Sequence, residues 1–276
     1  MHMKRFFLLV FLIMGLLLSS VAQENEKRNS FSLLWGPGTL ARQDMIFSPF
    51  VHSAHSLFNA GLAYTRQAGM FQQIQIRYSG YAPMLTEPYE FLVYDEVKTA
   101  QPHLFTFIDL DYLLGKTVKS MDRSRVTVGG LLTSDIQALN YVYGRLGYFG
   151  YYAALGLGGF IQLDHRIGEK NRVGTSLQFP LISWSARSPY LVNDDEFIEN
   201  IASHSGAKTF LSFLQDGKPE TWDHLQYFDL RVYYRYLINQ RWQLGVAYLL
   251  EFIHFSNPRN LISFKNTLTI SATLKF

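Results

Sequence analysis

The chain has 276 residues, of which 48% are hydrophobic, 16% aromatic and only 17% charged, with a formal net charge of +3 and no cysteine. The missing thiol excludes a disulfide framework, a cysteine lipid anchor, a Cys nucleophile and a thiolate metal site. The mild basic excess argues neither for nucleic acid nor for an acidic substrate, because most of it belongs to the first few residues.

Residues 6–18 form an uninterrupted apolar run behind Lys4 and Arg5, and Ser20, Val21 and Ala22 follow with small residues at the −3 and −1 positions of a cleavage site. We read 1–22 as a secretory signal peptide. Removing it leaves 254 residues and takes two of the 25 basic side chains against 22 acids, so the net charge falls from +3 to +1. Beyond Leu18 no apolar run approaches the roughly 20 residues of a membrane-spanning helix. A secreted chain this apolar either fills a large soluble β core or shows its surface to lipid through a closed β-barrel, the one non-helical structure able to cross a bilayer.

Residues 23–43, polar at first and then carrying Trp35, Gly36, Pro37 and Gly38, are expected as an N-terminal periplasmic segment or a plug, with the barrel occupying 44–276. Period-two alternation predicts about ten strands, at 44–53, 57–67, 71–81, 105–117, 124–134, 149–165, 171–185, 223–238, 241–254 and 264–276. In the strand at 223–238, Phe228, Leu230, Val232, Tyr234 and Tyr236 alternate with Tyr227, Asp229, Arg231, Tyr233 and Arg235. Short links near 67–70, 119–123, 167–170 and 239–240 alternate with longer ones at 82–104, 135–148, 186–222 and 255–263. Short periplasmic turns and long extracellular loops are the pattern of outer-membrane barrels.

A soluble sandwich also alternates, but its strands usually have about 5–7 residues, whereas these run to about 11–15, as tilted membrane strands do. Ile74, Ile76 and Tyr78, then Ile108, Leu110, Tyr112 and Leu114, then Leu155, Leu157, Ile161 and Leu163 make an apolar outer band. Tyr64, Tyr78, Tyr112, Tyr148, Tyr151, Trp184, Trp222, Tyr236 and Trp242 are expected as interfacial aromatic girdles. The inner face carries Arg77, Asp109, Asp111, Asp229, Arg231, Arg235, Glu251 and Lys265, four acids and four bases, which predicts a salt-bridged polar filling of a narrow lumen. A narrow selective conduit is the functional alternative.

The last segment, 266–276, has Leu268, Ile270, Ala272, Leu274 and the terminal Phe276 on one face, and it resembles the C-terminal strand of bacterial outer-membrane barrels. That resemblance implies that Phe276 is the recognition signal for the barrel assembly machinery. Two enzyme families offer local likenesses. Asp109 and Asp111 resemble the paired aspartates of omptin-type proteases, which also use a His at the extracellular mouth, but neighbouring residues such as Asp223 and His224 point to opposite faces of a strand. Asp164 and His165 lie at the periplasmic end, far from any mouth. The run His254, Phe255, Ser256, Asn257 resembles the His-x-Ser-Asn motif of outer-membrane lipid A deacylases, which implies His254 as base and Ser256 as nucleophile, two residues apart and therefore on one face. The family's orienting carboxylate is missing here; Asn266 stands roughly in its place.

His52, His55, His103 and His204 show no metal-site spacing, and Asp194, Asp195, Glu196 and Glu199 make an acidic loop cluster. Gly156, Gly158 and Gly159 lie within a strand, which fits a bend and not a phosphate loop. The expectation is a closed all-β antiparallel barrel in the cell outer membrane, without cofactor or metal and without nucleic-acid partners. It contacts lipopolysaccharide and outer-membrane lipid, and loop 186–222 caps the mouth or meets a protein partner. Three functions stay open: a non-enzymatic surface component or complex subunit, a lipid acyl hydrolase, and a narrow channel.

Overall fold

A computed structural model describes residues 28–85, 87–143, 146–188 and 214–276, with no account of the Leu146 side chain. The expected signal peptide, the acidic cluster at 194–199 and most of loop 186–222 lie outside the described residues. The strands are β1 (Asn29–Asp44), β2 (Ser48–Ala68), β3 (Met70–Tyr81), β4 (Glu90–Val93), β5 (Glu96–Thr99), β6 (Leu104–Ser120), β7 (Ser124–Tyr143), β8 (Leu146–Ile167), β9 (Asn171–Arg187), β10 (Lys218–Thr221), β11 (Leu225–Leu237), β12 (Trp242–Phe255) and β13 (Leu261–Lys275). All but β4, β5 and β10 form a closed antiparallel barrel of ten strands in the order β1-β2-β3-β6-β7-β8-β9-β11-β12-β13, closed by β13 on β1. The hairpin β4–β5 stands in the 82–103 connection, and β10 takes the place of β11 against the upper part of β9.

Closure gives each of the ten barrel strands a neighbour on both sides, which hydrocarbon demands. The outer face is apolar as expected: Ile74, Ile76, Ile108, Leu110, Leu157 and Ile161 are exposed, while Gln75, Arg77, Asp109, Asp111, Ser176 and Gln178 are buried inside. Tyr78, Trp184, Trp222, Tyr236 and Trp242 are exposed where interfacial anchors belong, but Tyr151 is buried against Ala186. The turns at 69, 121–123, 168–170 and 238–241 share one end of the barrel with the paired termini, where Asn29 and Phe276 exchange backbone hydrogen bonds of 3.0 and 2.9 Å. We take this as the periplasmic end. Gly69 makes the tightest of these turns with φ of +74°, a conformation that costs other residues.

The number of barrel strands agrees with expectation through two offsetting differences. Residues 29–44 are neither tail nor plug but the first strand. Gly36 and Pro37 disguise it: a Cβ at Gly36 would lie 1.9 Å from the Leu268 carbonyl oxygen, and Pro37 falls in the gap of both neighbouring ladders, where no N–H is needed. The segments 44–53 and 57–67 are one strand, β2, interrupted by a bulge opposite Pro37 that leaves Leu57 and Phe58 both outside. A bulge breaks period two, so the sequence pattern reads as a boundary. Likewise 135–148 is not a long loop. β7 and β8, of 20 and 22 residues, run far past the roughly 9–11 that cross a bilayer and meet across 144–145.

Candidate functional site

Alternation puts Arg77, Asp109, Asp111, Asp229, Glu251 and Lys265 on the inner wall, and the registers align them: Arg77 opposite Asp109, Asp229 opposite Glu251, Glu251 opposite Lys265. Arg77 lies 3.0 Å from Asp229, 3.1 Å from Asp111, 3.3 Å from Glu251 and 3.7 Å from Asp109. Lys265 lies 2.8 Å from Asp109 and 3.1 Å from Glu251. Thr133 donates to Asp111 at 2.7 Å, and Gln137 donates to the neighbouring Asp135 at 2.8 Å. All are buried. Arg231 and Arg235 do not join this layer. Two residues along a strand is a step of about 6.6 Å, which carries Arg231 down to Gln75 at 3.0 Å and Arg235 to the ring of Tyr233 at 4.0 Å. The expected balance of four acids and four bases becomes a central layer rich in acid and a lower one rich in base.

Above the ion pairs the lumen is filled by apolar side chains. Leu40, Phe47, Tyr81, Phe105, Phe107, Leu139 and Tyr141 form one cluster, and Tyr152, Leu225, Tyr227, Ile253, Phe255 and Leu261 another. Phe47, on the β1–β2 turn, stacks on Tyr141 with ring centroids 4.5 Å apart. A second buried ionic group closes the top. Arg42 bonds Asp44 at 3.0 Å and Gln137 at 2.7 Å, while Arg187 bonds Asp44 at 2.6 Å and the carbonyls of Asn257 and Arg259 at 3.0 and 2.6 Å. His103, held below its usual pKa by burial, accepts the Val142 amide at 2.8 Å as a neutral imidazole does. Sequence reasoning missed Arg42, Asp44, Asp135 and Arg187, although Leu40, Arg42 and Asp44 already alternate with Ala41 and Gln43. Beside the central ion pairs remains a cavity of only about 10 Å³.

The deacylase-like residues lie on the outside of the extracellular end but do not assemble as expected. His254 Nδ1 is 3.2 Å from Gln226 Oε1, and Asn266 pairs with Tyr248 at 2.7 Å and Thr39 at 3.5 Å. Ser256 instead meets His224, its Oγ 3.3 Å from Nδ1 and also donating to the His224 carbonyl at 3.3 Å. The Asp223 carboxylate is 3.5 Å from His224 Nε2, and the Thr221 hydroxyl donates to it and holds it below the usual carboxylate range. Ser256 has one proton to give, and the His224 carbonyl competes for it with the His224 ring at the same 3.3 Å, whereas a general base requires that proton on the ring side. The omptin-like pair fares no better: Asp109 and Asp111 are buried at the central layer. Asp164 points inward and accepts from Tyr233 at 2.7 Å, while His165 bonds Ser124 at 2.8 Å. Among the described residues no three or more His, Asp or Glu side chains stand together as metal ligands.

Below the ion pairs the lumen opens. A cavity of about 1140 Å³ at the periplasmic end is lined by Arg28, Arg125, Arg172, Arg231, Arg235, Arg241 and Lys275, with Gln75 at its inner end.

A closed barrel with an apolar belt and an ionic lumen is a transmembrane β-barrel of the bacterial outer-membrane class, and its place is the outer membrane. No protein-family model matches the sequence, and no curated protein matches it. Among solved structures, the outer membrane protease OmpT from Escherichia coli aligns over 93% of this chain and 99% of its own, with a TM-score of 0.57 and 6% identity. The β domain of the Bordetella autotransporter BrkA aligns over 90% and 100%, with a TM-score of 0.42 and 9% identity. The Ralstonia pickettii toluene transporter TbuX aligns over 92% of each chain, with a TM-score of 0.34 and 11% identity. The first likeness establishes a shared fold and nothing about activity.

Proposed function

We propose that this protein is a non-conducting, non-enzymatic outer-membrane barrel that presents its extracellular end as a surface component or as a subunit of an outer-membrane complex, with Phe276 as its assembly signal. One observation carries this reading: the lumen is blocked twice in series, by the Arg77 and Lys265 ion pairs and by the aromatic and Arg187 layers above them. Neither ions nor solutes pass buried groups locked in this way without rearranging them. Purified protein in planar bilayers at high salt is therefore expected to be silent. Steady single-channel steps of uniform size would refute the reading in favour of a conduit.

A second reading rests on the contact of Ser256 with His224, whose other ring nitrogen meets Asp223, on the face toward the outer leaflet. Lipid acyl hydrolysis there requires His224, not His254, as the base, with the Ser256 hydroxyl turned from the His224 carbonyl to donate to Nδ1. Incubation with lipopolysaccharide or phospholipid vesicles decides it. The surface reading expects no acyl release from the wild type, whereas release lost in both Ser256→Ala and His224→Gln, but kept in His254→Gln, would establish the hydrolase.

A further inference from the structure

The lower half of the lumen gathers positive charge that the rest of the fold does not consume. Among the described residues, seven cationic side chains line its cavity and no acidic side chain does. The counter-charge among the described residues is Asp164, 3.7 Å from Arg125 and 3.8 Å from Arg235. Two features resist a purely structural explanation. Arg172 and Arg235 sit directly opposite each other on β9 and β11, a like-charge cross-strand pair that destabilises a sheet, and Lys275 stands close enough to feel both charges. At the inner end Gln75, 2% exposed, accepts from Arg231 and from Gln73 at Oε1, while its amide Nε2 has no hydrogen-bond partner among the described residues. An unpaired buried donor and a crowded set of guanidinium groups are both relieved by an anion rich in acceptor oxygens.

We propose that the periplasmic half of the lumen is a binding site for a small polyanion carrying phosphate or carboxylate groups. At about 1140 Å³ the cavity is slightly larger than typical small-molecule sites of roughly 300–1000 Å³, and its lining reaches the periplasmic end at Arg28, Gln240, Arg241 and Phe276. Arg172, Arg235 and Lys275 hold the charged end, since guanidinium forks match the geometry of both anions. Arg231 and the free Gln75 donor receive the groups that enter deepest. The closed layers above make this a dead-end pocket, which retains a ligand and does not pass it on. The site stands whether or not the surface-protein reading does.

Calorimetric titration of the full-length barrel in a zwitterionic detergent at low salt tests it, with tripolyphosphate as the phosphate probe and citrate as the carboxylate probe. Saturable one-to-one binding of either is expected, weakened at least about tenfold in Arg172→Gln/Arg235→Gln and unchanged in Lys116→Gln/Lys119→Gln, whose exposed side chains do not line the cavity. Binding of tripolyphosphate alone assigns phosphate chemistry, and comparable binding of both assigns any compact polyanion. Heat-modifiable gel migration confirms that each variant is folded; if the first does not fold, Arg241→Gln/Lys275→Gln replaces it. No saturable binding of either probe by the wild type, or equal loss in the Lys116 and Lys119 variant, overturns the proposal.

Discussion

Arg77→Met is expected to be the most damaging single substitution in the barrel, because it leaves Asp111 and Asp229 without their cation and Asp109 and Glu251 with Lys265 alone. Removing one partner of a buried ionic group costs about 3–5 kcal/mol, since the charges that remain have lost their solvent as well as their mate. Urea unfolding in detergent, followed by heat-modifiable migration, measures it. Lys265→Met should cost less, because Asp109 and Glu251 keep Arg77 at 3.7 and 3.3 Å. Arg231→Met should cost least, because its hydrogen bond to Gln75 borders the open cavity. The charge origin of the effect has its own check: adding Asp111→Asn and Asp229→Asn to Arg77→Met should recover much of the lost stability, because the buried negative charge leaves with the cation. Equal losses in the Arg77 and Arg231 variants, or no recovery in the triple variant, would show that packing and not charge sets the cost.

The alternation that revealed this barrel was reliable wherever a strand kept one face in lipid. Ile74, Ile76, Leu110 and Leu157 faced outward because a one-residue slip would have sent Arg77 and Asp109 into hydrocarbon. It failed where period two is locally broken for a physical reason. Pro37 reads as a loop residue, yet in β1 it sits at a bulge and gives up no ladder bond. Leu57 and Phe58 read as a boundary, yet they are that bulge's extra residues. β7 beyond Asp135 reads as a loop because, past the membrane, the pressure for an apolar outer face lapses.

The candidate site was legible by face but not by layer. Parity along a strand says that Arg231 and Arg235 share the inside with Asp229; it does not say that β9 sets Arg172 opposite Arg235, because register between strands distant in sequence leaves no local trace. The same blindness paired His254 with Ser256 by their spacing, whereas the β11–β12 register brings Gln226 to His254, and the turn before β11 brings His224 to Ser256. Arg42 was hidden for a different reason: β1 as far as residue 43 reads as a periplasmic segment or plug, and the boundary falls between Arg42 and Asp44, which β1 carries together.

Arg187→Ala separates the two barriers in the lumen. Arg187 ties β9 to the β1–β2 end through Asp44 and to the β12–β13 connection through the carbonyls of Asn257 and Arg259, and its guanidinium also lies 5.6 Å from the Phe255 ring. Losing a buried charged donor with several acceptors costs about 2–3 kcal/mol and leaves two carbonyls unpaired, so the extracellular end should loosen first. Limited proteolysis of folded protein should then cut near 256–260 in the variant and not in the wild type. Conductance should nevertheless stay absent, because Arg77, Lys265 and their four carboxylates still bar the lumen below. Barriers in series open only together: adding Arg77→Met, Asp111→Asn and Asp229→Asn to Arg187→Ala should give conductance that neither change gives alone. If Arg187→Ala by itself conducts, the central ion pairs are permeable and the aromatic layer is the sole gate, which would return the barrel to the class of conduits with a removable plug.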